Sequence, residues 1–340
     1  MANLTDTQLL AAITKASNTL IDKGEFRDYG HSATRALLAG ENDVFRNLNA
    51  MKQADSQPTK VDLNKRVYTA SGTAKSANHA AAAFPDSFVK DITYIRKTQT
   101  FKVSYKQADM NRLGYDDILQ HEMRNKLISL YTDLSTDNIA WLNTNRSQVG
   151  TDGLMAFDET TNDQYDNLLA DRDYWFDYIK STQKLNKYNG MNTVMVGDQR
   201  VAALYRKLAA NGTMNAENTA FQIPGIELFE EPQMTIGADS TGFVWEKGLV
   251  GMTTWNELAN RRGNGSVGSN EGLFTTMTDP TFGFDLDLHV KRGVADTSAS
   301  AGNVQDIVDE YEISLTYALE GSWVDSSTES HIFKTVQANS

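Results

Sequence analysis

Thr193-Val194-Met195-Val196-Gly197-Asp198-Gln199-Arg200-Val201-Ala202-Ala203-Leu204 is the stretch on which the fold turns. Its first four residues are the apolar, β-branched run of a buried strand. Gly197-Asp198 supplies a turn and a helix N-cap. Val201, Leu204, Tyr205 and Leu208 then recur at helical spacing, and Asn211-Gly212 is a stop signal. Ile223-Pro224-Gly225-Ile226-Glu227-Leu228-Phe229 reads as an edge strand, because proline at its start cannot donate to a ladder. Phe243-Val244-Trp245 and Leu249-Val250 complete an α+β unit.

Upstream, Leu119, Met123, Leu127, Leu130, Leu134 and Trp141 mark one face of a long helix over 115–142. At ~1.5 Å per residue such a helix is roughly 40 Å long, a spine for a flat domain. A second helix is predicted over 168–188, with Trp175, Ile179 and Leu185 on its apolar side. An amphipathic helix is predicted over 4–23 from Leu9, Ile13, Ala16 and Leu20, followed by an extended arm to residue 57. Val61 and Leu63, and later Phe101, Val103 and Tyr105, alternate with polar residues and flank a tip of small residues, Ala70 to Ala83. This predicts a long basic β-hairpin, which needs support from outside its own strands. Downstream, Phe284, Leu286, Leu288 and Val290, then Ile313, Leu315, Tyr317 and Leu319, alternate as two antiparallel strands with one wet face, joined by a small-residue linker over 293–302.

A length of 340 residues suggests about two domains. Neither a span-length apolar run nor a signal-peptide pattern is present. With no cysteine, disulfides, thiolate metal sites and a cysteine nucleophile are excluded. The net charge of −12 argues against nucleic-acid binding as the main task and fits protein partners. That charge is uneven. Residues 58–114 hold ten basic side chains against four acids, whereas 271–330 hold twelve acids against Lys291 and Arg292. A basic ribbon and an acidic body attract each other between copies; the plainer alternative is a pair of solvated faces.

Candidate chemistry is thin. Gly263-Asn264-Gly265-Ser266-Val267-Gly268 has the form of a nucleotide-binding string, but a polar segment precedes it, so a mobile loop is the expectation. His121-Glu122 lacks a second histidine four residues on. Asp285 and Asp287 share one strand face, as paired acids do, and are expected on its wet side. Asp306, Asp309 and Glu310 lack the spacing of a dedicated calcium loop. No catalytic residue, cofactor or metal site is expected.

The order of these parts resembles the tailed-bacteriophage major capsid protein family, whose shell fold is shared with encapsulins. The resemblance rests on the stretch 193–204, on Ile223 to Met234, on the spine helix, on the basic hairpin around Lys60 to Lys106, and on Tyr311 to Leu319 as a return strand. It implies an α+β fold with an N-terminal arm (1–57), an extended hairpin loop (58–114), a spine helix and first part of a peripheral domain (115–190), an axial domain (191–270), and peripheral return strands with a C-terminal tail (271–340). It further implies a non-enzymatic virion protein that assembles with itself into pentamers and hexamers of an icosahedral shell around double-stranded DNA, in the host cytoplasm and without a membrane. Scaffolding, portal and decoration proteins are the implied further partners. The short stretch before the hairpin implies a separate scaffolding protein or none. Lys97, Lys102 and Lys106 are the expected inter-subunit contacts. An encapsulin-like compartment, and an enzyme using the glycine-rich loop or the Asp285/Asp287 pair, are the alternatives.

Overall fold

A computed structural model describes residues 4–23, 32–45, 48–66, 87–110, 114–160, 162–211, 225–234, 239–296, 305–324 and 328–338. The tip of the predicted hairpin, with Lys75, lies outside them.

The return strand, Gln305–Gly321, organises the larger sheet. It pairs antiparallel with Asp285–Asp296, with Tyr94–Ser104 and, near its end, with Val250–Trp255. Gly272–Thr278 and the short Gly265–Ser266 extend the sheet beyond Asp285–Asp296. The spine helix, Tyr115–Thr144, lies on one sheet face. Its Leu119, Met123, Leu127, Leu130 and Leu134 share a core with Phe101, Val103, Tyr311, Ile313 and Tyr317. Spacings of three and four on the helix, and of two on the strands, bring these apolar faces together.

Four departures from the sequence reading concern what pairs with what. The alternating strand that ends at Ser104 is not an arm of the hairpin but a neighbour of the return strand, and Tyr105 opens a short helix, Tyr105–Met110. Lys60–Arg66 instead pairs with Ser87–Asp91, and Lys65 and Arg66 also pair in parallel with Trp323 and Val324. The N-terminal helix, Asp6–Lys23, is the expected one, with Leu9, Ile13, Ala16 and Leu20 buried in the main core, but the segment after it is not an extended arm: three short helices, Ser32–Leu38, Glu41–Val44 and Leu48–Gln53, occur there. Val250–Trp255 leaves the α+β unit for the larger sheet.

The second sheet runs in the order Ala156–Asp158, Gln164–Asn167, Phe333–Gln337, Ser240–Glu246, Thr193–Gly197, Ile226–Glu230. The C-terminal strand therefore sits inside this sheet, with Phe333, Thr335 and Gln337 buried. Ile226–Glu230 is at the edge, as the proline implied. The helix Gln199–Asn211 begins as read: Asp198 Oδ1 accepts the Val201 N–H at 2.8 Å, and its Oδ2 accepts the Thr241 N–H at 2.9 Å. The predicted 168–188 helix is a 3₁₀ segment, Leu169–Tyr174, followed by Trp175–Leu185.

One face of the second sheet contributes Val194, Val196, Phe243 and Trp245 to the main core, so the two sheets share it. Its other face packs under Trp175–Leu185 and Gln199–Asn211. At the junction the buried Glu231 carboxylate accepts the Ala33 N–H at 3.0 Å and the Ser135 hydroxyl at 3.4 Å, tying the arm, the spine and the second sheet to one residue.

Candidate self-association surfaces

The chemistry suggested by the sequence takes structural roles. Gly263 adopts a left-handed conformation (φ 66) that closes the short helix Leu258–Arg262. The loop after it is not free. Val267 donates its N–H to Asp6 Oδ1 at 3.0 Å, and its carbonyl accepts the Arg292 N–H at 2.9 Å. Asp285 and Asp287 do not share a wet face: Asp285 is exposed, while Asp287 is buried beneath Asn256 and Glu257, accepting Asn256 Nδ2 at 3.1 Å and the Glu257 N–H at 3.2 Å. Burial pushes the Asp287 carboxyl up from its ordinary value. His121 is exposed beside Asn125. Among the described residues no group of three or more His, Cys, Asp or Glu is placed to hold a metal ion, and no helix is long and apolar enough to cross a membrane.

The acids near 306–310 are bound within the chain. Asp309 is fully buried and meets Arg292, Tyr105 and Tyr115; Asp306 is bound by the Ser104 hydroxyl. Arg292 reaches further, donating to the Leu4 carbonyl at 3.0 Å and to the Tyr105 hydroxyl at 2.7 Å, which latches the start of the N-terminal helix to the sheet. Hydrogen bonding to Asp309 holds the guanidinium above its ordinary pKa, and burial pushes the Tyr105 phenol up to about 12. Local sequence pattern does not single out Arg292 as an anchor; the one signal is that Lys291 and Arg292 are the only cations in a stretch rich in acids.

Lys97, Lys102 and Lys106 all lie on or just after the strand Tyr94–Ser104. Lys97 pairs with Asp137 of the spine at 2.8 Å, and Lys102 with Glu310 of the return strand at 2.5 Å. The Lys106 side chain is exposed. Lys90 and Arg96 likewise meet Glu320 and Glu257. Lys90, Arg96, Lys97 and Lys102 are thus matched by acids of the same chain.

What the described surface does offer is apolar. Leu154, Leu168, Leu169, Tyr174, Leu185 and Met191, all large and all exposed, occur within one stretch of the second sheet's lobe. Leu185 was expected inside; it is 45% exposed. A second exposed pair, Val294 and Ile307, are cross-strand partners on the ribbon beyond the larger sheet. A cleft of about 360 Å³ lies between the segment after the spine helix and the C-terminal strand, lined by Ser147, Asn186, Tyr188, Ser330 and Phe333 among others. Exposed apolar surface of this kind on a folded chain is a candidate for contact with other chains.

No protein-family model matches the chain, and no curated sequence does. Solved structures do. The capsid asymmetric unit of Cyanophage A-1(L) superimposes with a TM-score of 0.51 at 10% identity, covering 91% of this chain and 93% of that one. The chain has a phage capsid fold. A structure from Mycobacterium phage Che8 aligns with a TM-score of 0.50 at 11% identity, over 88% of this chain and 90% of the other. A capsid fold accounts for the α+β composition and for the long strand running beside a spine helix. At such low identity it is the order and pairing of elements that is shared, not side-chain chemistry.

Proposed function

We propose that this chain is the major capsid protein of a tailed bacteriophage, assembling with itself into pentamers and hexamers of an icosahedral shell that encloses double-stranded DNA. The observation that carries this reading is the architecture held in common with the Cyanophage A-1(L) capsid chain over nearly the full length of both. The work of such a protein is geometric. Identical subunits in heterologous contact close into rings, and rings close into a shell. The second-sheet lobe is the axial part, the larger sheet with its spine is the peripheral part, and the hairpin that starts at Lys60–Arg66 reaches a neighbour. A net charge of −12 suits a wall that contains DNA without gripping it. Scaffolding, portal and decoration proteins are its expected partners, and the host cytoplasm its place of assembly.

Within this reading Lys97, Lys102 and Lys106 contribute to the seams, the first two while also pairing in their own chain. Reversing all three to glutamate lowers shell yield and salt resistance; unchanged yield and resistance defeat that assignment. The reading as a whole is tested by purifying particles both from cells expressing the chain and from phage-infected cells, digesting outside nucleic acid with nuclease, and extracting what remains. Shells from infected cells holding protected phage DNA support it. Shells holding a cargo protein in place of DNA favour an encapsulin-like compartment, and the absence of particles opposes both.

A further inference from the structure

Two Asn-Gly pairs lie within the described residues, Asn189-Gly190 and Asn264-Gly265; a third, Asn211-Gly212, runs out of them. Such a pair has its own chemistry, because glycine has no side chain to keep its backbone nitrogen from reaching the preceding side-chain amide carbon. Both asparagines are exposed. Their surroundings differ.

Asn189 stands in the turn between the helix Trp175–Leu185 and the strand Thr193–Gly197. Its Oδ1 accepts the Met191 N–H at 3.1 Å, which folds the side chain back over the Asn189–Gly190 peptide. The backbone of Asn189 is pinned on both sides: its N–H donates to Glu246 Oε2 at 3.1 Å, and its carbonyl accepts the Asn192 N–H at 3.1 Å. Among the described residues no acceptor engages the Gly190 N–H. Asn264 is placed otherwise. Its side chain makes no such bond among the described residues, its carbonyl accepts the Phe274 N–H at 2.7 Å, and Gly265 is held in the sheet opposite Leu273.

We infer that Asn189 is a site of spontaneous deamidation set by the fold. The Gly190 nitrogen attacks Asn189 Cγ and gives up its proton to solvent, while the side-chain nitrogen takes up a proton and leaves as ammonia, closing a succinimide ring. Water then opens the ring at either carbonyl, giving aspartate or isoaspartate. Negative charge develops on Oδ1 during the attack, where the Met191 N–H already points, and a donor aimed at developing charge lowers the barrier. Either product puts a new carboxylate beside Glu246. Isoaspartate also lengthens the main chain in a turn with little slack, where a Cβ on Gly190 would overlap the Lys180 carbonyl and the Asn192 carbonyl holds the Lys247 N–H at 2.9 Å. The chain thus carries a slow, irreversible charge change at the join between that helix and strand, independent of the shell reading.

The test compares the two sites within one molecule. The full chain is incubated at mildly alkaline pH, folded and in denaturing guanidinium chloride. Digests are followed by mass spectrometry for the conversion of amide to acid, with isoaspartyl peptides resolved by their separate elution. In the folded chain Asn189 converts about tenfold faster than Asn264, the rate equivalent of one hydrogen bond to a developing charge. In denaturant the two rates come together. Equal rates in the folded chain, or a faster Asn264, overturn the inference. So does a lead of Asn189 that persists unchanged in denaturant, because it then belongs to the neighbouring residues in sequence and not to the turn.

Discussion

Arg292 grips Asp309 through two bonds, Nε to Oδ1 at 2.7 Å and Nη2 to Oδ2 at 3.1 Å, with the carboxylate fully buried. Two tyrosine hydroxyls, from Tyr105 at 2.7 Å and Tyr115 at 2.8 Å, complete the shell around Oδ2. Removing one member leaves the others buried without their counter-charge. Asp309→Asn is therefore expected to cost about 3 kcal/mol, read from the urea midpoint. Arg292→Met is expected to speed proteolysis within Asp6–Lys23 as well, since the same guanidinium holds the Leu4 carbonyl. A midpoint within error of the unmodified chain contradicts this account of the pair.

The arm also meets the larger sheet backbone to backbone. A Cβ on Gly40 would overlap the Val250 carbonyl, and one on Gly251 would come within 2.7 Å of the Gly40 oxygen. Gly40→Ala must push the two segments apart, at an expected cost of about 1–3 kcal/mol. Differential scanning calorimetry reads this directly; an unchanged transition means the arm is not packed against this strand.

Asp198 caps Gln199–Asn211 and also takes the Thr241 N–H, so Asp198→Ala orphans two backbone donors. The expected loss is about 1–2 kcal/mol or somewhat more, measured by chemical denaturation. Asp198→Asn keeps an acceptor and should recover part of it.

Asp287 gives a pH signature. Its folded pKa is raised by burial, so its contribution to stability is fully present below the ordinary aspartate value of 3.8 and is lost as pH rises through the raised folded value. Hydrogen bonds from Asn256 and Glu257 and the charge of Arg96 limit the rise, while the Glu257 charge adds to it. Asp287→Asn, which does not titrate, is expected to gain stability relative to the unmodified chain between pH 3.8 and neutrality. A difference that stays flat across that range rules the assignment out.

Local patterns carried much of the fold, and pairing carried the rest. The strand–turn–helix at 193–211 and the spine at 115–144 were legible because each is specified by a cap or by a long helical repeat of its own residues. The strand Tyr94–Ser104 showed its alternation but not its partner, because alternation fixes a face and leaves the neighbour to tertiary packing. The short helices after residue 32 are too brief to show a period, and Phe333–Gln337 is too polar to read as the inner strand it is. Asp287 was misplaced because the residues that cover it, Asn256 and Glu257, come from about 30 positions upstream. Leu185 follows the helical period yet faces outward, and a lone sequence has no signal that separates a buried apolar face from an exposed one.

Negative-stain microscopy of the purified chain across a concentration series bears most directly on the claim that each copy is a tile. Closed shells or ring-shaped capsomers, appearing above a threshold concentration, are the expected result. Uniform single particles at every concentration, with all elements fully folded, contradict it.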